Sequence, residues 1–267
     1  MPLAASPPAG LGLAAEGVRH LAAAGRAGPS PLWYTTRATG VIALLLLTAT
    51  VALGVAGVSR LSSPRWPRVI TAGLHRNISL LVIVFVVIHV LTTVLDTFVA
   101  ISPATIVVPF ISSYRTFWLS LGTIAFDLLL ALVITSLLRA RISLRAWRGV
   151  HWLAYACWPI ALWHGLGTGT DSKLPWLLFL DALCVVVVAG ALLWRLTLIP
   201  PGTARSAAML ATVVVPIATV VFVVVGPLQP HWAKRADAPA AAPSSSAISR
   251  TPDHVLGRAP AHQKASP

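Results

Sequence analysis

Residues 73–89 read Gly73-Leu74-His75-Arg76-Asn77-Ile78-Ser79-Leu80-Leu81-Val82-Ile83-Val84-Phe85-Val86-Val87-Ile88-His89, and residues 151–165 read His151-Trp152-Leu153-Ala154-Tyr155-Ala156-Cys157-Trp158-Pro159-Ile160-Ala161-Leu162-Trp163-His164-Gly165. In each, two histidines bracket a mostly apolar run, fourteen residues apart in the first and thirteen in the second. Such runs are helices if they lie in a bilayer, because about 20 apolar residues at about 1.5 Å rise cover a hydrocarbon core of about 30 Å. Strands are excluded there unless they close into a barrel, since unpaired backbone cannot face lipid, and barrel strands are about half this length.

The rest of the chain supports that setting. Its 267 residues are 57% hydrophobic and 10% charged, against about 25% charged in ordinary soluble chains. Using charges as limits, six long apolar stretches appear. They lie between Arg37 and Arg60, between Arg76 and Asp96, from Thr116 to Leu138 around Asp127, between Arg148 and Asp171, between Lys173 and Arg195 with Asp181 inside, and between Arg205 and Lys234. Cys157 and Cys184 both fall inside such stretches and read as small core residues, with no disulfide framework.

The net charge of +13 does not mark a nucleic-acid binder. Arg60, Arg65, Arg68, Arg76, Arg139, Arg141, Arg145, Arg148, Arg195 and Arg205 collect on one side, while the opposite two loops hold only Arg115 and Lys173. The positive-inside rule makes the arginine-rich side cytoplasmic and puts both termini outside. Trp33, Trp118, Trp163, Trp176 and Trp232 fall at one interface and Trp66, Trp147, Trp152 and Trp194 at the other, as in aromatic belts.

Of eight histidines, His20, His231, His254 and His262 lie toward the ends of the chain without ligand-like spacing. The other four are placed in register. The second and fourth stretches run in the same direction, so His75 is level with His151 and His89 with His164. The two steps are about 21 Å and about 20 Å along an ideal helix, which excludes a single four-histidine metal site with ligand bonds of about 2 Å. Two pairs at two depths fit two haem irons, each with two axial imidazoles from facing helices. Azimuth agrees for His75 and His89, about 40° apart, but not for His151 and His164, about 140° apart on an ideal helix. Pro159 lies between them and predicts a kink or change of winding.

These residues resemble the ferric reductase-like transmembrane domain, a family that includes ferric reductases, NADPH oxidases and the haem-binding membrane subunit of the periplasmic methionine sulfoxide reductase system. The resemblance covers Leu32 to about Arg195. It rests on Gly73-Leu74-His75-Arg76-Asn77 with His89, and on His151-Trp152-Leu153-Ala154-Tyr155 through Trp163-His164-Gly165. It implies two b-type haems, with His75 and His151 as iron ligands on the cytoplasmic side and His89 and His164 on the outer side. It also implies a plasma-membrane protein, bacterial given the compact chain.

Some relatives continue into flavin and nicotinamide domains, and no counterpart of these is expected within this sequence. Gly165-Leu166-Gly167-Thr168-Gly169 lacks the strand-turn-helix setting of a dinucleotide site and reads as a loop. The electron donor is therefore expected to be a separate flavoprotein or a quinol, and the acceptor an extracytoplasmic one: ferric iron, oxygen, or a flavin or reductase protein. Arg76, Arg148 and Arg115 are candidate partners for the anionic haem propionates. Asp127, costly at mid-membrane, is expected to make a structural hydrogen bond or to support a histidine.

The fold expected is an all-α polytopic membrane bundle of about six transmembrane helices, binding haem between helices two and four. Residues 1–31 form a flexible N-terminal segment, 32–198 the ferric reductase-like haem domain, 199–230 an additional transmembrane helix and 231–267 a disordered Ala/Pro/Ser-rich tail. The rival function is a proton or transition-metal transporter or channel component. Carriers of that kind place carboxylates and broken helices at the midplane, where this chain has Asp127 alone.

Overall fold

The computed structural model describes residues 30–58, 68–96, 99, 101–169 and 171–237. Most of the N-terminal segment, Arg60, Arg65 and Trp66 of the first arginine-rich loop, and the tail beyond 237 lie outside the described residues. Among the described residues all regular structure is helical. Five helices are long and apolar enough to cross a membrane: α1 (Pro31–Val58), α2 (Arg68–Leu95), α3 (Thr116–Leu137), α6 (Pro175–Thr197) and α7 (Thr203–Val225). Between α3 and α6 the chain forms α4 (Leu144–His151) and α5 (Ala154–Thr168), and after α7 a short α8 (Trp232–Asp237).

Six spans were expected, and the difference lies in the fourth stretch. It is split at Trp152-Leu153 into helices of 8 and 15 residues, and 15 residues reach only about 22 Å. The split is a change of winding. The N–H groups of Leu153, Tyr155 and Ala156 donate to the carbonyls of Val150, Trp152 and Leu153, each three residues back. Such winding turns about 120° per residue in place of about 100°. Three or four residues of it add about 60–80°, which removes about half of the azimuthal mismatch between His151 and His164. Pro159 itself sits inside an unbroken α5. The altered turn precedes it, where its ring crowds the Tyr155 carbonyl and offers that oxygen no N–H.

α1 packs along α2 and touches α5 and α6; α3 packs on α5; α7 covers α6 and part of α5. The core forms where α1, α5 and α6 meet, with Val51, Trp158, Leu162, Leu166, Cys184 and Val188 buried together. Lipid offers little net drive to bury apolar side chains, so interhelical hydrogen bonds and close packing carry this assembly. Trp158 Nε1 donates to Thr48 Oγ1 at 2.9 Å and Trp163 Nε1 to Thr219 Oγ1 at 2.9 Å. Both cysteines are free and buried. The first residues of the expected tail are helical, and Trp232 of α8 packs against Trp118 and Phe222.

Leu162 is wholly buried, whereas Val220 on α7 is 62% exposed. Leu162→Ala is expected to cost about 2–5 kcal/mol, and Val220→Ala less than about 0.5 kcal/mol. Thermal unfolding in one detergent compares them; equal shifts would contradict this core.

Candidate functional site

α2 faces α4 and α5 without substantial direct packing, yet the histidines of α2 meet His151, the last residue of α4, and His164 of α5 across the gap. The structure brings together the rings of His75 and His151, with centroids 6.4 Å apart and planes at 67°. His89 and His164 have centroids 6.3 Å apart and planes at 86°. Two imidazoles bound to opposite sides of one metal ion by bonds of about 2 Å, with a ring radius of about 1.1 Å, have centroids about 6.3 Å apart. Both pairs have that spacing. Among the described residues no group of three or more His, Cys, Asp or Glu is placed to hold a metal ion.

Three of the four rings are aimed by backbone carbonyls. Nδ1 of His75 meets the Thr50 carbonyl at 3.0 Å, Nδ1 of His89 the Thr36 carbonyl at 2.8 Å, and Nδ1 of His164 the Trp118 carbonyl at 2.9 Å. A carbonyl only accepts, so Nδ1 carries the proton and donates, and the Nε2 lone pair is left free. Each of these rings also lies against a glycine on a neighbouring helix. A Cβ on Gly40 would stand 3.0 Å from His89 Cε1, one on Gly54 3.3 Å from His75 Cε1, and one on Gly122 2.4 Å from His164 Cε1. The sequence reading missed these seats. Gly40 and Gly54 are fourteen residues apart on α1, the same step as His75 to His89 on α2, and that match was the available signal.

His151 is held differently. Its Nδ1 is buried without a hydrogen-bond partner among the described residues, and its ring stacks on Trp147 at 4.7 Å and 20°. The Arg139 guanidinium lies over the other ring, 4.9 Å from the Trp147 centroid.

A cavity of about 620 Å³ opens around His89 and His164, between α1, α2, α3 and α5. Val82, Val86, Phe126 and Leu129 give it apolar walls, and Tyr34 and Arg37 stand at its rim. Arg37 forms an ion pair with Asp171; the sequence reading used each only as the limit of an apolar stretch. Asp181, inside the fifth apolar stretch, lines the same cavity.

Of the arginines singled out, Arg115 is 2% exposed and donates from Nη1 to the carbonyls of Gly167 and Thr168 at 3.0 and 2.9 Å. It thus caps the end of α5. Residues 165–168, expected to be loop, are the last turn of that helix. Arg76 and Arg148 are exposed at the arginine-rich end. Asp127 is partly exposed on α3 and is not among the residues that line the cavity.

The comparisons agree with the histidine pattern. No curated protein and no solved structure matches the chain. Residues 39–162 match the family model of the ferric reductase-like transmembrane component, a segment that contains His75, His89 and His151 and stops two residues before His164. Over that segment the chain is similar to the ferric reductase-like transmembrane component, in line with the resemblance carried by its histidine motifs.

Proposed function

We propose that the chain is a transmembrane electron-transfer protein holding two b-type haems, one between His75 and His151 and one between His89 and His164. The observation that carries the reading is the centroid spacing of 6.4 and 6.3 Å in the two pairs, the spacing of axial imidazoles. Bound there, haem supplies one-electron ferric/ferrous chemistry. Electrons enter on the arginine-rich, cytoplasmic side from a separate flavoprotein or a quinol. They leave outside to ferric iron, oxygen, or a flavin or reductase protein.

The chain's own residues set the conditions. Donation from Nδ1 to a carbonyl fixes the tautomer at His75, His89 and His164 and raises the basicity of Nε2. Gly40, Gly54 and Gly122 let each ring sit flush with its neighbouring helix, leaving the gap between α2 and α5 for a flat group. Apolar walls exclude water. Arg37 at the outer rim, with Arg76 and Arg148 at the other end, offers guanidinium groups to carboxylates at the membrane edges. Arg115 serves the outer pair indirectly, by holding the end of the helix that carries His164.

A dithionite-reduced minus oxidised spectrum of purified protein, with a haem-to-protein ratio, tests the proposal. About two b-type haems per chain are expected; folded protein without haem overturns it. The glycine seats give a graded prediction. Gly122→Ala drives a Cβ into His164 and should empty the outer site, leaving about one haem per chain. Gly54→Ala, with a longer approach, should keep most of its haem, and Gly190→Ala, where nothing lies within 4 Å, should keep all of it. Equal losses in the three variants would contradict the seating.

A further inference from the structure

The four imidazoles are not held equally, and the weakest hold falls on one of them. His75, His89 and His164 are tied to other helices twice, by an Nδ1 hydrogen bond to a carbonyl of α1 or α3 and by contact with a glycine there. His151 has neither tie. Among the described residues its Nδ1 has no partner and no glycine lies against its ring. Its stacking partner, Trp147, is four residues earlier on the same helix, so the stack moves with His151 and does not anchor it. Arg139, over Trp147, lies in the adjoining turn between α3 and α4.

The helix itself is loosely attached. α4 has 8 residues, none of them buried, and packs mainly on α3. Its junction with α5 is the rewound turn at Trp152-Leu153, a natural hinge between a surface helix and the buried α5. Partners that orient a metal-bound histidine are worth about 10–100-fold in affinity. Their absence here makes His151 the ligand that leaves first.

We infer that the His75–His151 site is a binding site for a small neutral diatomic ligand, of which carbon monoxide is the probe, with His151 as the ligand displaced. The inference rests on the haem reading above. With reduced haem held there, His151 would be the ligand that gives up its bond to iron as the probe's carbon takes that place, with no change of oxidation state and no proton transferred. α4 swings away with Trp147 stacked on the freed ring. The His89–His164 site, with both ligands tied, stays closed to the same probe.

The test uses full-length protein carrying both haems, reduced with dithionite and exposed to carbon monoxide. About half of the haem absorbance should shift, and amide hydrogen exchange should rise in residues 144–151 while residues 154–168 stay protected. The double variant His89→Ala/His164→Ala, left with the inner pair, should bind carbon monoxide on nearly all of its haem. The converse variant His75→Ala/His151→Ala should bind almost none. Two haems that both ignore carbon monoxide overturn the inference and leave the haem reading standing, as does a shift that belongs to the outer pair. Folded protein without haem overturns the haem reading and this inference with it.

Discussion

Everything in this bundle is arranged around a gap about one flat molecule wide. α2 stands apart from α4 and α5, and imidazoles reach into the space from both sides until their centroids are 6.3–6.4 Å apart. A gap of that kind cannot be left to apolar side chains alone. α1 and α3 frame it, each packed on one of the histidine helices. They supply the carbonyls that aim three rings and the glycines that let those rings lie close. The core of Val51, Trp158, Leu162 and their neighbours then fixes α1 against α5 and α6, which sets the width.

Several polar groups in this apolar setting are each satisfied by a specific neighbour. Thr48 receives Trp158, Thr219 receives Trp163, and the buried Arg115 is consumed by the terminal carbonyls of α5. In lipid an unmet polar group costs several kcal/mol, so such pairings position helices as well as satisfy them. Arg115 shows the consequence for function. A cation that looked free to meet a propionate works instead through the helix that carries His164.

What the sequence revealed, and what it hid, divides along physical lines. Depth was legible, because helical rise is nearly constant and a fourteen- and a thirteen-residue step must match. The pairing of His75 with His151 and of His89 with His164 therefore followed from counting. Azimuth was not legible for His164, because a few tightly wound residues near Trp152 rotate everything after them, and hydropathy does not register winding. The same blindness made one span of two helices. The supports of the rings were half visible: Gly40 and Gly54 repeat the histidine step, but Gly122 lies alone on α3. The carbonyls of Thr50, Thr36 and Trp118 carry no sequence signature at all. Arg37 was overlooked because its partner Asp171 is distant in the chain.

The ring planes offer the most direct test of the central claim. Crossing angles of 67° and 86° place the paired imidazoles nearer to perpendicular than to parallel, and a ferric haem held between imidazoles so oriented would give a low-spin electron paramagnetic resonance signal of the large-gmax type. Spectra of the oxidised purified protein should show that type of signal for two haems per chain, each lost with either of its own two histidines. A rhombic signal from parallel rings, a high-spin signal in the untreated protein, or signals that survive loss of His75 and His89 together would contradict the account.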